Sequence, residues 1–362
     1  DSDNSGRGFI TMNEVETRSA GGSLVSFVAA PFKQALSVDY FWLRVACLIA
    51  CLPSAGALVL KVTGLMQMQT SVLYVFLPCA FFLIGVWWTA RPGKYEEVGS
   101  AILLGSVAGL AATFAYDLIR IPFLILGQRV FMTIDTYGMW IMDASVSTGL
   151  TDVVGWTYHY ANGITFGIIF ALFLRGQHVI WAVLYAIFLE TINLITPFTE
   201  IFGLSTNLSA IGILYLGHVA YGLPLGFMVR DWDKWLGRLR GWSGIAKWGV
   251  IVAGLVWLVW EAVSPERMEF DRRSENNKLI VEGPLLNPEF LRIDLGEPVA
   301  IENPGEAAVV INKSTDEKYE MEAGSIDHFT PQRPGIYQVF VEVDGKTHSS
   351  FILVEPVENI GQ

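Results

Sequence analysis

Seven apolar stretches of membrane-spanning length occupy most of the first 263 residues of this 362-residue chain, and they constrain its fold more than any other feature. They cover residues 41–62, 70–90, 99–126, 155–174, 178–198, 207–229 and 246–263. Each approaches the roughly 20 residues that an α-helix needs to cross about 30 Å of hydrocarbon. The sequence therefore predicts a multi-pass α-helical membrane bundle with about seven transmembrane helices.

The Lys and Arg residues of the short connections predict how this bundle is oriented. If there are seven spans, most of these residues fall on one side of the membrane: Arg7, Arg18, Lys33, Arg91, Lys94, Arg175, Arg230, Lys234, Arg238, Arg240 and Lys247. Positively charged loops stay on the cytoplasmic side. We therefore expect a bacterial inner (cytoplasmic) membrane protein whose N-terminus is cytoplasmic and whose C-terminal domain is periplasmic.

Charge is distributed unevenly along the chain, which separates a membrane part from a polar part. Residues 265–362 hold 19 acidic and 9 basic residues, whereas residues 1–264 hold 16 and 15. We therefore divide the chain into a cytoplasmic segment 1–40, a transmembrane domain 41–263, a charged linker 264–280 and an acidic outer domain 281–362. No basic patch indicates a nucleic-acid partner.

Short runs with period-2 alternation follow the linker, and turn residues separate them: LIVEG, FLRIDL, PVAIEN, AAVVIN, KYEME, IYQVFVEV and SSFILVE. This pattern predicts an extracytoplasmic antiparallel β-sandwich of about seven strands. The stretch FTPQRPGIYQVFVEVDGKTHSSFILVE, residues 329–355, resembles the closing hairpin of cupredoxin-like and immunoglobulin-like domains. Type 1 copper needs a Cys ligand, but this domain offers only His328 and His348. We therefore expect a scaffold without a copper site.

Two further segments are predicted to lie at the membrane surface. Residues 22–38 are too short and too polar to span, so they predict an interfacial helix. The connection 127–154 is long for a helical bundle, and its Phe, Met, Trp and Ile residues favour an amphipathic helix on the outer surface. A long outer loop with a function of its own is the alternative.

A short motif, H-x-A-x-G-x-x-x-G, occurs twice in the membrane part, from His159 to Gly167 and from His218 to Gly226. Small residues four positions apart let helices approach closely. The glycines of the two motifs are therefore predicted to be helix-packing residues: Gly163, Gly167, Gly222 and Gly226. Gly105-Ser-Val-Ala-Gly109 is a related stretch without His. These patterns resemble multi-pass bacterial membrane families that have no assigned function.

Ionisable residues inside a membrane are costly and mark candidate functional sites. Together with two Asn neighbours, they form a candidate intramembrane polar cluster: Asp117, Arg120, His159, Asn162, Glu190, Asn193 and His218. A structural polar network, a site for a ligand, ion or proton path, and haem or metal ligation all remain open for it. Asp117 and Arg120, at i and i+3, are spaced for an ion pair.

No catalytic constellation or common catalytic motif is present in the sequence. The first hypothesis is therefore a non-catalytic accessory or scaffold subunit of a larger membrane complex, possibly an energy-transducing (respiratory or photosynthetic) one. Its partners would be other membrane subunits, lipids and a basic extracytoplasmic protein that docks on the acidic outer domain. A transporter or channel that uses the polar cluster is the second hypothesis. The third is a redox subunit of electron transport that contacts haem or a quinone. No cofactor is predicted, although haem, lipid or pigment binding stays open.

Overall fold

The computed structural model describes residues 39–241 and 277–355, apart from the gaps 126–130, 203, 205–207, 283–284, 289, 313–316 and 344–345. Five residues between positions 29 and 36 are described as well. The predicted seventh span over 246–263, most of the linker and most of the predicted interfacial helix over 22–38 lie outside the described residues.

The helical part starts with three long helices, α1 (Phe41–Val62), α2 (Met68–Thr89) and α3 (Glu96–Ile125). A shorter helix, α4 (Met132–Met142), precedes α5 (Gly149–Phe173). A capping box formed by Thr148 and Thr151 starts α5. The remaining helices are α6 (Ile180–Leu194), α7 (Phe198–Ile201), α8 (Leu208–Arg230) and α9 (Trp232–Gly241).

Four of the described helices are long and apolar enough to cross a membrane: α1, α2, α3 up to Phe123, and α8. Each coincides with one of the predicted stretches. α5 has 25 residues but carries Asp152, His159 and Asn162, which lower its apolarity. α6 is apolar but has only 15 residues. The chain therefore has a membrane helical part, and the count of seven spans stays a prediction.

α3 lies at the centre of the helical part, where it packs against α5 and α8. α6 packs on α8, while α1 and α4 pack on α5. Small side chains such as Ala101 and Ala108 are fully buried between these helices. Large apolar side chains on the outer faces, including Trp42, Phe81 and Leu216, are exposed, which suits contact with lipid.

The C-terminal part forms two β-sheets. Its strands are β1 (Lys278–Glu282), β2 (Leu285–Asn287), β3 (Phe290–Asp294), β4 (Val299–Asn303), β5 (Ala308–Asn312), β6 (Glu317–Met321), β7 (Ser325–Phe329), β8 (Gly335–Val343) and β9 (Lys346–Glu355). The strand orders are β2-β1-β4-β7 and β3-β9-β8-β5-β6. Buried residues of both sheets, among them Leu279, Ile301 and Val341, form one apolar core.

Both sheets are mixed, which corrects part of the sequence prediction. β1 pairs with β4 in parallel, and β3 pairs with β9 in parallel, while the other pairings are antiparallel. The prediction of purely antiparallel pairing is wrong for these two pairs. The reason is that a strand with one buried face alternates with period two whatever the direction of its neighbour.

Backbone hydrogen bonds join the β part to the helical part. The Arg292 N–H donates to the Ser145 carbonyl over 2.6 Å, and the Ser147 N–H donates to the Phe290 carbonyl over 3.1 Å. Residues 145–147 therefore pair with the outer edge of β3. An uncovered strand edge is a template for unwanted pairing, so this contact protects the sheet as well as fixing the two parts.

α4 lies beneath this contact and not on an open surface. Seven of its 11 residues are buried, including Tyr137, Met139 and Trp140. Apolar residues of the β part, Phe290 and Phe351, belong to the same buried cluster. The predicted helix in the connection 127–154 forms, but the expectation of a simple interfacial helix is wrong, because the β part and α5 cover it.

Candidate functional site

A buried ion pair and an imidazole join α3 to α5. The Nε2 atom of His159 lies 3.0 and 3.2 Å from the two carboxylate oxygens of Asp117. Nη1 of Arg120, one turn further along α3, lies 3.6 Å from Oδ1 of the same carboxylate. The Asp117 and Arg120 side chains are 9% and 2% exposed. A buried charge needs a partner, and here each of the two opposite charges has one.

Two aromatic rings hold the Arg120 guanidinium in place. Its central carbon lies 4.6 Å from the ring centroid of Tyr116 and 4.6 Å from that of Phe131. Cation–π contacts of this kind stabilise a desolvated guanidinium. The Nε atom of Arg120 is buried and finds no hydrogen-bond partner among the described residues.

A second carboxyl group and a second imidazole join α6 to α8. Glu190 is 2% exposed, and its Oε2 lies 3.5 Å from Nδ1 of His218. The same Nδ1 lies 3.0 Å from the carbonyl oxygen of Leu214. A carbonyl only accepts, so Nδ1 carries the hydrogen and donates it to Leu214. The longer distance to Glu190 exceeds that of an ordinary hydrogen bond.

Glu190 is poorly compensated. Its Oε1 atom is buried and has no hydrogen-bond partner in the part of the chain that the structure describes. Asn193, one turn further along α6, lies beside the carboxyl group. Arg120 acts on Glu190 electrostatically from α3, but the ion pair of Arg120 is with Asp117.

Tyr116 connects the two imidazoles. Its ring centroid lies 5.9 Å from that of His159 and 5.0 Å from that of His218. The two His side chains are 15% and 16% exposed, so most of each ring is inside the bundle. Asn162 lies beside Tyr158 on α5, with its Oδ1 buried and unpartnered among the described residues. The seven predicted polar residues thus lie on four neighbouring helices, and Tyr116 contacts both imidazoles.

Glycines bring the backbones of α3 and α5 into direct contact. A Cβ atom built on Gly105 would lie 2.6 Å from the Cα of Ile168, and one on Gly167 would lie 2.6 Å from the Cα of Gly109. A Cβ on Gly163 would collide with the Thr113 hydroxyl. Gly105 and Gly109 therefore form the surface of α3 that packs against the glycines of the His159 motif. They are not a third copy of that motif.

The other two glycines make the equivalent contact between α8 and the start of α6. A Cβ atom on Gly222 would lie 2.6 Å from the Cα of Val183. One on Gly226 would lie 2.9 Å from the Cα of Val179 and 3.0 Å from the Cβ of Ala182. All four glycines that the sequence singles out lie at such helix contacts.

The two contacts share one register. In the first helix pair, α3 with α5, Asp117 follows Gly109 by eight residues, and His159 precedes Gly167 by eight. In the second helix pair, α6 with α8, Glu190 follows Ala182 by eight, and His218 precedes Gly226 by eight. In each pair, small residues therefore make a close helix contact at one level. A carboxyl group faces an imidazole about 12 Å further along the helices.

Because of this shared register, the repeat includes more residues than the H-x-A-x-G-x-x-x-G motif. The carboxyl-bearing helices correspond as Asp117-Leu-Ile-Arg120 and Glu190-Thr-Ile-Asn193. The repeating unit is therefore two helices, and the second unit has Asn193 where the first has Arg120. The sequence contains this correspondence as an Asp or Glu that is followed three residues later by a polar residue. That spacing is common in proteins, so it became informative only when the structure placed a His-containing helix beside it.

A second buried polar group fixes the β part on the helical part. The Glu355 carboxylate accepts hydrogen bonds from Lys61 Nζ over 3.3 Å, from Arg292 Nε over 3.0 Å and from Trp140 Nε1. Arg292 also contacts Asp143 over 3.1 Å. Burial alone lowers the pKa of Arg292, but the charge and hydrogen bonds of Glu355 and Asp143 together raise it above its ordinary value. We call this group, with Glu355 at its centre, the joint.

Sequence reasoning missed the joint and the aromatic members of the cluster. Lys61 lies near the end of an apolar stretch, and Glu355 lies in an ordinary alternating strand, so neither is marked by a local pattern. Tyr221 also escaped notice, although its hydroxyl donates to the Gly163 carbonyl over 2.7 Å and so links α8 to α5. Long-range pairs of this kind leave no local pattern.

These features define a membrane protein with a helical part and a β-rich C-terminal part. Comparison with known protein families and curated proteins found no match for the chain. Among the described residues, no group of three or more His, Cys, Asp or Glu side chains is arranged to hold a metal ion.

Proposed function

We propose that this protein is a non-catalytic accessory subunit of a larger membrane complex that holds an acidic domain rigidly over its helices for partner docking. The joint is the observation that supports this function. A buried ionic group is costly to assemble, so its best use is to specify one geometry. Three donors converge on Glu355, and backbone bonds add to them. The β part is thereby fixed on the end of the bundle.

The proposed topology is seven spans with the N-terminus in the cytoplasm and the β part in the periplasm. Arg44 at the start of α1 bonds the Leu172 carbonyl at the end of α5, and Gly176 bonds the Val229 carbonyl at the end of α8. The joint uses Lys61 at the opposite end of α1. Residue 241 and the β part therefore lie at opposite ends of the described bundle, which supports the proposed seventh span over 246–263.

We further propose that the β part is a cupredoxin-like or immunoglobulin-like sandwich without a copper site, in a bacterial inner membrane. Two sheets around one core support the sandwich. The absence of Cys from residues 265–362 supports the missing copper site. Exposed acidic residues on β6, β7 and the turn between them, including Glu320, Glu322 and Asp327, are available to a basic protein.

A second candidate function, a transporter or proton path, is favoured by the two carboxyl–imidazole contacts inside the bundle. Haem or quinone contact stays a third candidate, because a His whose one ring nitrogen is hydrogen-bonded within the protein can still bind a ligand through the other.

The test is mild detergent extraction followed by identification of stoichiometric partners. We expect other membrane subunits to copurify, and we expect binding of a basic extracytoplasmic protein to weaken with salt. Reversing the charges of Glu320, Glu322 and Asp327 to Lys should weaken that binding without unfolding the β part. A protein that always purifies alone would contradict the proposal.

The joint is tested separately by Glu355→Ala, with Glu320→Ala on the exposed Lys318–Glu320 pair as the matched control. Removing one partner of a buried ion pair costs about 3–5 kcal/mol. The Glu355 variant should lose the fixed contact, which limited proteolysis of the β part would report. The control should change stability by less than about 1 kcal/mol. Equal behaviour of the two variants would mean that the joint does not hold the domains.

A further inference from the structure

The two helix pairs differ in how they balance their buried carboxyl groups. Asp117 in the first pair has a fixed cation, Arg120, 3.6 Å away, and an imidazole at 3.0 Å. Glu190 in the second pair has Asn193 at the position equivalent to Arg120, and its imidazole is 3.5 Å away. The second carboxyl group is also the more deeply buried of the two.

An ionised carboxylate in the surroundings of Glu190 would carry a large desolvation free energy. Transferring an ionised carboxylate into a dry interior costs far more than protonating it, unless a partner compensates the charge. The charged and titratable groups around Glu190 are His218 on α8, Arg120 and Tyr116 on α3, and Tyr137 on α4. Arg120 forms its ion pair with Asp117, and neither Tyr supplies a positive charge.

We propose that Glu190 is a proton-binding site inside the helical bundle and that His218 is the relay that loads it. In the resting state Glu190 is a neutral carboxylic acid, and His218 carries its single hydrogen on Nδ1, bonded to Leu214. The ligand of this site is a proton, and the site belongs to the second helix pair alone. The inference does not depend on the accessory role proposed above.

The relay can be written so that every proton is accounted for. When Glu190 is ionised, an incoming proton binds Nε2 of His218, which becomes a cation with hydrogens on both nitrogens. The Nδ1 hydrogen then leaves the Leu214 carbonyl and passes to Oε2 of Glu190, after the 3.5 Å separation shortens. The carboxyl group is then neutral, and the imidazole is neutral with its hydrogen on Nε2. Exchange of the ring hydrogen through solvent restores the starting tautomer.

Infrared difference spectroscopy of the full chain in lipid nanodiscs tests the site, because a protonated carboxylic acid has its own carbonyl band. The parent protein should show a buried band of this type at neutral pH, and the nearly isosteric Glu190→Gln should lose it. The control Glu306→Gln, at an exposed carboxyl group of the β part, should retain it. A band that is unchanged in Glu190→Gln would overturn the proposal.

A second variant uses the repeat itself. Asn193→Arg places a guanidinium at the position that Arg120 occupies in the first helix pair, and it should abolish the neutral-acid band although Glu190 is still present. Asn193→Gln, which adds length without charge, should retain the band. If Asn193→Arg folds and keeps the full band, the missing cation is not what keeps Glu190 protonated.

The relay is tested by kinetics. After a rapid change of pH, His218→Asn should slow the loading of the carboxyl band by about a hundredfold, the scale of a lost proton-transfer group. The final size of the band should stay the same. A purely structural role for His218 would leave the rate unchanged, and that result would remove the relay from the proposal.

Discussion

The first helix pair and the second helix pair place the same kinds of group at the same register, but they differ in how they balance the charge of the buried carboxyl group. In α3 and α5, Asp117 is neutralised by a fixed guanidinium held between two rings. In α6 and α8, Glu190 has an amide in that place, and its imidazole, 3.5 Å away, bonds the Leu214 carbonyl. The first helix pair is thus suited to a permanent ion pair, and the second is suited to a carboxyl group that binds and releases a proton. In this account, a single position, Arg120 or Asn193, decides which of the two roles a helix pair takes.

The largest effect that separates the two pairs is expected from Asp117→Asn. This change leaves the Arg120 guanidinium buried and without its carboxylate, which costs about 3–5 kcal/mol. Thermal or denaturant unfolding in detergent measures the loss.

The matched control for this change removes both charges at once. Asp117→Asn combined with Arg120→Met leaves no unpaired charge, and the flexible Met side chain fills the space between the two rings. The double variant should be more stable than Asp117→Asn alone. If it is less stable, the ion pair is not the reason for the loss.

Intermediate effects are expected at the glycine contacts. A Cβ on Gly167 meets backbone atoms of Gly105 and Gly109, which cannot move aside, so Gly167→Ala should cost about 1–3 kcal/mol. At Gly226 the nearest atoms are a methyl group of Val179 at 2.8 Å and the Val179 Cα at 2.9 Å, against 2.3 and 2.6 Å at Gly167, so Gly226→Ala should be the milder change.

Gly212→Ala, on the same helix as Gly226, serves as the reference for both substitutions. An added Cβ there meets nothing within 4 Å, so this variant should be neutral or slightly more stable. Equal losses at Gly167 and Gly226 would mean that the two helix contacts are equally tight.

The two imidazole substitutions include the smallest expected effect, that of His218→Asn. His159 bonds an ionised carboxylate, so His159→Asn should cost about 1.5–3 kcal/mol, the range for hydrogen bonds to charged groups. His218 bonds a backbone carbonyl, and His218→Asn should cost only about 0.5–1.5 kcal/mol. Unfolding of the two variants side by side gives the comparison, and a larger loss for His218 would speak against the assignment of charges.

Local patterns in the sequence predict much of the fold. Apolar length predicts α1, α2, α3 and α8, and period-2 alternation predicts most strands of the β part. Strand direction was not predictable in β1 and β3, because a strand with one buried face alternates with period two whatever the direction of its neighbour. The burial of α4 escaped prediction because it depends on Phe290 and Phe351 far along the sequence.

The candidate site was only partly visible in the sequence. Ionisable residues in apolar stretches singled out its members, but not their partners. The spacing of Asp117 and Arg120 predicts their contact because both are on one helix. The contact of Asp117 with His159 and that of Glu190 with His218 required the helix packing, as did the central position of Tyr116.

The most direct test of the difference between the two pairs is the free energy of unfolding of Glu190→Gln at neutral pH, measured beside Asp117→Asn. A neutral carboxylic acid and an amide are similar in shape and charge. We therefore expect Glu190→Gln to lie within about 1 kcal/mol of the parent protein, whereas Asp117→Asn loses about 3–5 kcal/mol. A loss in Glu190→Gln as large as that in Asp117→Asn would show that Glu190 is a paired carboxylate, and it would contradict the account.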